Sequence, residues 1–292
     1  MARNRYVNTL ARLAPRAASE TAMSYRRIAC LSTEVVETLY LLGAEDRIAG
    51  ISGYTVRPAR ARKEKPKISG FTSAKLERIL AVEPDLVIAF SDLQSDIVRD
   101  LIRSGIETHV FNQRDITGIL RMISNLAAMV GKQEEGEKLT RSIEDSLAAA
   151  RVRAASLTKR PRIYFEEWGD PMISGIRWVS ELIEAAGGED CFAELSHHAK
   201  ARDRIIADSS EVARRAPDII IGSWCGRKFQ LEQVAVRPGW DRIPAVQRGQ
   251  LYEIKSADIL SPGPALIDGL AHLEKIIGQW TVSHDGTFVN KA

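Results

Sequence analysis

Cys225 is the residue of this chain best placed to do chemistry, because basic side chains follow it closely. The stretch runs Trp224-Cys225-Gly226-Arg227-Lys228, and neighbouring cations lower the pKa of a thiol and favour the reactive thiolate. A nucleophile or a ligand for a metal centre is one interpretation. The other, which we favour, is a cysteine at the end of a strand with no chemical role.

Two further clusters carry titratable groups. Glu166 and Glu167 are adjacent in a predicted strand, so at most one of them points into a cleft. With Asp170 they could bind a cation or polar ligand groups, although a solvated rim is the favoured interpretation. His197 and His198 could ligate cobalt or iron through neutral imidazole, but a polar surface loop is favoured. No Ser/His/Asp order, phosphate loop or HExxH motif is present, and we expect no enzyme.

The composition favours an ordinary globular protein with two domains. The chain has 292 residues, of which 45% are hydrophobic and 27% are charged, which are typical values for a soluble protein. A net charge of +3 is too small to indicate nucleic-acid binding. The three cysteines fit neither a zinc pattern nor a disulfide framework, and no apolar run is long enough to predict a transmembrane helix.

Aromatic residues make up only 6% of the chain, yet they recur just beyond the predicted strands. The set is Tyr54, Phe71, Phe90, Trp168 and Trp224. Flat aromatic faces with a few polar groups suit a large, planar, partly apolar ligand. Each ring could instead plug the top of its own sheet, but we expect at least two of the set to contact a ligand.

Strand and helix patterns alternate in both halves of the chain, which predicts mostly parallel sheets covered by helices. A short helix leading into Pro-Asp and an apolar strand occurs twice, over residues 76–90 and 210–224. In such sheets ligands bind beyond the carboxyl ends of the strands. Two similar halves that face each other would therefore form a cleft lined by the aromatic residues.

The predicted elements follow from apolar periodicity and from capping residues. Ser32 or Thr33 begins a helix that Gly43 ends, and residues 53–67 form a long surface loop. The other predicted strands are 27–31, 47–51, 86–90, 107–111, 162–168, 219–223 and 251–254. The other predicted helices are 75–81, 95–104, 115–130, 178–186, 209–216 and 265–282.

Residues 133–157 lack proline and contain a single glycine, Gly136. This stretch predicts one helix of about 25 residues, a stiff spacer between domains. The sequence thus predicts an α/β protein of two Rossmann-like lobes with mainly parallel sheets, joined by one long rigid helix. The expected parts are a polar tail (1–25), an N-terminal lobe (26–131), the connecting helix (132–158), a C-terminal lobe (159–283) and a second tail (284–292).

The chain resembles the helical-linker class of substrate-binding proteins of ABC importers, which take up cobalamin, haem and ferric siderophores. The similarity covers roughly Arg27 to Gln279. Residues 222–226, residues 259–264 and the context of Phe71 look closest to cobalamin-binding members. The matching stretches are Thr33-Glu34, Leu42-Gly43-Ala44, Gly70-Phe71-Thr72, 76–79, 83–87, 185–189, Ala216-Pro217-Asp218, 237–240 and Pro262-Gly263-Pro264.

The resemblance implies a corrinoid, cobalamin above all, held without a covalent bond between two lobes that close little. Uptake by an ABC importer or cytoplasmic handling is the implied role, and no cofactor is required. We expect contacts with the ligand from Tyr54, Phe71, Phe90, Trp168, Trp224, Cys225, Arg227, Asp258 and Ile259.

Two alternatives on the same fold remain open. A ferric siderophore or haem is one, ranked lower because only Arg227 and Lys228 are plainly basic residues of the expected cleft, and anionic ligands favour several cations. The other is an enzyme or metal-handling protein that uses Cys225 and Glu167.

The resemblance also implies one carboxylate on each lobe that binds arginines of an importer permease. Glu77 matches the first position. The second position holds Ser210, with Glu211 one residue later and therefore about 100° further round the helix. The family is periplasmic, but residues 1–23 contain no apolar run typical of a secretory signal, so we expect the chain as given to be cytoplasmic. We also expect a monomer.

Overall fold

The computed structural model describes residues 24–284. The predicted N-terminal tail up to residue 23 and the C-terminal tail from residue 285 lie outside the described residues. Between residues 24 and 284, no helix combines the length and the apolar character that crossing a membrane requires.

The first lobe is built on a five-stranded parallel sheet with the strand order β3-β2-β1-β4-β5. The strands are β1 (Ile28–Cys30), β2 (Ile48–Ser52), β3 (Lys67–Ser69), β4 (Leu86–Phe90) and β5 (Thr108–Phe111). The helices are α1 (Thr33–Leu41), α2 (Ala61–Glu64), α3 (Leu76–Leu80), α4 (Ser95–Arg103) and α5 (Ile116–Met129). The central strands β1 and β4 are buried along their whole length, as expected for a sheet with helices on both faces.

One helix of 23 residues, α6 (Gln133–Ala155), connects this sheet to the second half of the chain. It packs on α5 through Gly136, where an added Cβ would lie 2.4 Å from the Cβ of Ala127. Further along, Ile143, Leu147 and Ala150 are buried at helical spacing. Because α6 is anchored along one side, it holds the two lobes at a fixed separation.

The second lobe is built on a sheet with the order β10-β9-β6-β7, and β8 also pairs with β6. Only β7 runs antiparallel to its neighbour. The strands are β6 (Arg162–Gly169), β7 (Met172–Ser174), β8 (Glu189–Asp190), β9 (Ile219–Gly222) and β10 (Leu251–Glu253). The helices are α7 (Arg177–Ala185), α8 (Ala193–Ser196), α9 (Ser210–Arg215), α10 (Leu231–Ala235), α11 (Pro244–Gln247), α12 (Ser256–Ile259) and α13 (Leu266–His284). The predicted fold, two mainly parallel α/β lobes joined by one long helix, is confirmed.

The Pro-Asp repeat has the same structural role in both lobes. The Asp85 carboxylate accepts hydrogen bonds from the backbone N–H groups of Arg26 and Arg27, at 2.7 and 2.9 Å. The Asp218 carboxylate accepts one from the N–H of Arg162, at 3.0 Å. Each aspartate therefore fixes the start of the neighbouring strand, β1 in one lobe and β6 in the other, and satisfies backbone donors at the sheet edge.

Residues 53–67 are not one long loop, and that prediction is wrong. They contain the helix α2, and Lys67 begins the edge strand β3. The β7 strand was not predicted at all. Both strands are three residues long and lie at sheet edges, where one side remains in contact with water and the apolar pattern on which sequence analysis depends is weak.

One of three hydrophobic clusters runs through both lobes, and each lobe has a further cluster of its own. The shared cluster joins residues of β1, α1, α5, α6, β6, α7 and α13. The lobes also meet closely at Gly263, where an added Cβ would lie 2.6 Å from the Cβ of Glu34 at the start of α1. This contact leaves no room for a side chain at residue 263.

Gly263→Ala is expected to lower the free energy of unfolding by about 1–3 kcal/mol, because the new methyl group forces the lobes apart. Gly278→Ala is the matched control, since Gly278 is exposed in α13 with no atom within 4 Å of an added Cβ. We expect the control to be about 0.5–1 kcal/mol more stable than the native chain. Urea denaturation measures both, and equal stability of the two variants would contradict the close contact.

Candidate ligand-binding cleft

A cavity of about 700 Å³ lies between the two lobes, within the size range of small-molecule sites. The N-terminal lobe contributes Tyr54, Phe71 and Phe90 from segments that follow β2, precede α3 and end β4. The C-terminal lobe contributes Trp178 and Leu260, among others, and the wall is mainly apolar. Aromatic residues from the ends of several strands therefore share one wall, and their contact with a ligand stays a prediction.

Gln94 holds two of the aromatic wall residues in place, a role that no sequence pattern indicated. Its side-chain oxygen accepts from the N–H of Phe90 at 2.8 Å, and its amide nitrogen donates to the carbonyl oxygens of Phe71 and Leu31, at 2.6 and 3.1 Å. Gln94 is buried. These hydrogen bonds therefore fix the Phe71 loop relative to the end of β4.

Four of the nine predicted ligand contacts line this cavity: Tyr54, Phe71, Phe90 and Cys225. Tyr54 is 63% exposed and stands at the mouth, whereas Phe90 is 6% exposed and forms part of the wall. The other five do not line the cavity, and their contact with a ligand stays a prediction.

The two tryptophans of the predicted set pack within the C-terminal lobe. Trp224 lies in edge-on contact with Phe229, with ring centroids 5.2 Å apart, and donates from Nε1 to Glu166 at 3.1 Å. Trp168 lies 6.4 Å from the Trp224 ring. The Arg227 guanidinium lies over Trp168, 5.7 Å from the ring centroid. Trp168, Trp224 and Arg227 all lie outside the cavity wall.

Asp258 and Ile259 serve the packing of the lobes. Ile259 is completely buried in the shared core, and its carbonyl oxygen accepts from Trp178 Nε1 at 2.9 Å. Asp258 accepts from Arg57 at 2.9 Å and lies 3.6 Å from His272. Both residues therefore take part in contacts within the protein and do not line the cavity.

The structure contradicts the interpretation of Cys225 as a reactive thiolate. Although the residue is exposed at the surface, the loss of hydration around its thiol raises the pKa to about 11, and the Glu167 carboxylate adds to this rise. The Arg227 side chain is directed to Trp168 instead. Adjacent cations in the sequence therefore do not act on the sulfur.

The remaining titratable clusters are occupied or exposed. Glu166 is completely buried and binds Arg237 and Tyr164, while Glu167 binds the buried guanidinium of Arg204 at 2.6 Å. The two neighbours thus point to opposite faces, as predicted. His197 and His198 are exposed just after α8 and do not line the cavity.

Glu34 is a buried acid in the cavity wall that the sequence did not single out as a site residue. It is 3% exposed, and its Oε1 accepts from Gln113 Nε2 at 3.3 Å. Gln113 also donates to the carbonyl oxygen of Pro262 in the other lobe at 3.0 Å. Burial raises the pKa of Glu34 to about 7, although hydrogen bonds from Ser32, Gln113 and Thr33 oppose the rise.

Arg57 is the second residue of the wall that sequence analysis missed. It reaches from the N-terminal lobe to three carboxylates, Glu37 at 2.8 Å, Asp258 at 2.9 Å and Asp268. The first belongs to its own lobe and the other two to the opposite lobe. The guanidinium therefore clamps the lobes together beside the cavity. Its place in a basic stretch predicted to be a surface loop concealed this role.

A family model described as periplasmic binding protein matches residues 28–257. A vitamin B12-binding protein of Vibrio parahaemolyticus is 24% identical over 258 residues, which cover 86% of this chain and 90% of that protein.

Two solved structures share the fold. A periplasmic haem-binding protein of Roseiflexus, in its apo form, superposes with a TM-score of 0.76 at 21% identity over 88% of this chain and 99% of its own. The periplasmic vitamin B12-binding protein of Vibrio cholerae superposes with a TM-score of 0.71 at 20% identity over 88% of this chain and 98% of its own.

Glu34→Gln is expected to become more stable relative to the native chain as the pH rises. An acid with a raised pKa in the folded state binds its proton more tightly than in the unfolded state, so the native chain loses stability between the unfolded pKa of about 4.3 and the folded pKa of about 7. Between pH 5 and pH 8 the difference in unfolding free energy should shift by about 2–3 kcal/mol in favour of the variant.

Urea denaturation at the two pH values measures this shift. Glu144→Gln, which removes an exposed carboxylate from α6, controls for the loss of one acid. A Glu34→Gln variant whose stability difference from the native chain is the same at pH 5 and pH 8 would contradict the raised pKa.

Proposed function

We propose that this chain, which belongs to the periplasmic binding protein family, binds a corrinoid of the cobalamin type between its two lobes. The family consists of substrate-binding proteins of ABC transporters, so the chain is a binding protein and not an enzyme. The observation that carries the proposal is the apolar cavity between the lobes, walled by Tyr54, Phe71 and Phe90.

The form of the wall favours a ligand with a broad flat surface. Phe71 and Phe90 are fixed by their common partner Gln94, while the exposed ring of Tyr54 at the mouth is free to stack on a ligand that extends beyond the cavity. Aromatic rings bury a large area at little cost in side-chain entropy. A corrin ring presents such a surface, with polar groups at its periphery.

The fixed relation of the lobes supports binding with little closure. The shared hydrophobic core, the clamp at Arg57 and the contact at Gly263 all join the lobes through residues of the chain itself. A preformed cleft avoids the cost of ordering the protein on binding. Ligand entry then needs only local movement at the mouth, near Tyr54 and Cys225.

We also propose that a membrane permease docks on the N-terminal lobe at Glu77. Glu77 is exposed on α3 and forms no ion pair within residues 24–284. Glu211 on the C-terminal lobe differs, because its carboxylate binds Arg214 and also Arg215, at 2.7 Å. A carboxylate already paired within its own helix contributes less binding energy to a new partner. Docking of the permease on the C-terminal lobe therefore depends less on Glu211.

Purified protein titrated with cyanocobalamin is expected to bind at micromolar concentrations or tighter, measured by tryptophan fluorescence and by calorimetry. Phe71→Ala should weaken binding about tenfold, because stacking on one aromatic ring contributes about 0.5–1.5 kcal/mol beyond buried area. Leu93→Ala is the matched control, an exposed apolar residue outside the cavity wall. Haem and a ferric siderophore are titrated in parallel, and tighter binding of either one would overturn the corrinoid proposal.

Glu77→Ala is expected to weaken association with the permease about tenfold, since a charge-assisted bond to a basic partner is lost. Glu211→Ala should weaken it less. Binding to the permease in lipid nanodiscs, followed by biolayer interferometry, measures both. If Glu77→Ala associates as the native chain does, handling of the ligand without docking at this acid is the correct role.

A further inference from the structure

We infer that the cavity selects a planar macrocycle whose rim carries uncharged amide groups and rejects the same ring when its rim carries carboxylates. Glu34 and the carboxylates around Arg57 are the specificity-determining groups. This inference rests on the proposed function and deepens it, because it states the chemistry that the polar part of the ligand must have.

The Arg57 guanidinium, the cation that the N-terminal lobe contributes to the cavity wall, is already paired with carboxylates. Arg57 lines the cavity, yet its guanidinium is held by Glu37, Asp258 and Asp268. Three carboxylates surround one guanidinium, so the cluster has an excess of negative charge. An anionic ligand group would have to displace a carboxylate that is fixed in place, and would meet repulsion from the others.

Other cations near the cleft are likewise committed. The Arg114 guanidinium lies over the Phe90 ring at 5.2 Å and 3.4 Å from Asp92, and Arg204 is paired with Glu167. Neither of these arginines lines the cavity. Lys255 is the cavity-lining cation of the opposite lobe, and it offers a single positive charge for a ligand that bears several carboxylates.

Glu34 adds a group that suits an amide in either protonation state. A protonated carboxyl donates to an amide carbonyl, and a carboxylate accepts from an amide N–H. Its neighbour Gln113 does not line the cavity, and its amide nitrogen donates to Glu34 and to the carbonyl oxygen of Pro262. A carboxylate on the ligand cannot satisfy an ionised Glu34, because both groups are acceptors only.

The charge that a ligand meets at this wall changes near neutral pH. The pKa of Glu34 is about 7, mainly because the group is buried. Burial also raises the pKa of Glu37, one turn along α1, against the effect of Arg57. On the strand side the Cys30 thiol faces Glu34, and its pKa is raised by burial, so it stays neutral.

Two more charged groups act on this region, one from each lobe. Lys65 lies near enough to Cys30 to favour a negative charge there, and Lys255 faces the cavity from the C-terminal lobe. His272 approaches Asp258 at 3.6 Å behind the Arg57 cluster.

Glu37 is a second buried acid that lines the cavity, but it is paired with Arg57 at 2.8 Å, which opposes its protonation. Glu34 forms no ion pair within residues 24–284, so we assign the pH dependence of selection to Glu34.

The test compares two ligands with the same corrin ring and cobalt centre, dicyanocobinamide with amides and dicyanocobyrinic acid with carboxylates. At pH 8 the native protein is expected to bind the amide form at least 100-fold more tightly. At pH 6 the carboxylates of the ligand remain ionised while Glu34 becomes mostly protonated, so this ratio should fall about tenfold. Calorimetry at both pH values measures the four dissociation constants.

Glu34→Gln should reduce the ratio at pH 8 about tenfold and should abolish its change with pH. Glu144→Gln, an exposed acid on α6 outside the cavity, should leave both unchanged. The pH comparison on the native protein needs no variant, so it decides the question even if Glu34→Gln does not fold.

The outcomes separate the two proposals. If dicyanocobinamide binds and dicyanocobyrinic acid binds equally well at pH 8, selection by charge is overturned while corrinoid binding stands. If neither corrinoid binds at concentrations that saturate the protein with haem, the corrinoid function itself is overturned. A ratio that is large but independent of pH overturns the role of Glu34.

Discussion

The packing of the two lobes on one continuous hydrophobic core is the constraint from which the rest of this structure follows. Helix α6 lies along that core, and residues of both sheets, such as Ile28 and Ile163, belong to the same buried cluster. Because close-packed interiors resist small displacements, the lobes keep one separation. Contacts within the protein therefore set the shape of the cavity between them.

The same contact between lobes sets the chemistry of the cavity. Glu34 is buried because the Pro262-Gly263 segment of the opposite lobe covers it, and Arg57 meets its partners Asp258 and Asp268 only across the boundary. Buried charges are costly unless they are paired and hydrogen-bonded. In the resulting wall the Arg57 guanidinium is paired with carboxylates, and burial raises the pKa of Glu34 to about 7. Under the proposed selection, both features decide which groups on the ligand rim are accepted.

Sequence patterns were sufficient to predict the strands and helices, whose formation depends on residues close together along the chain. Apolar strands followed by amphipathic helices predicted the two sheets, and the composition of residues 133–157 predicted α6. The Pro-Asp repeat predicted equivalent strands, and Asp85 and Asp218 explain it through the same backbone hydrogen bonds. The predictions that failed concern a sheet edge and the reactivity of one cysteine. Residues 53–67 conceal a short helix and an edge strand, and the basic residues after Cys225 do not determine what surrounds its sulfur.

The sequence by itself determined that the chain has two α/β lobes, a rigid helix between them, and aromatic residues at the ends of its strands. Only the tertiary structure decided which of those aromatics share a wall, since Phe71 and Phe90 line the cavity while Trp168 and Trp224 pack against each other in one lobe. It also decided that Arg57 pairs with Asp258 and Asp268, which are 201 and 211 residues away along the chain. Local propensity fixes where strands and helices form, but side-chain burial and long-range ion pairs depend on how those elements meet.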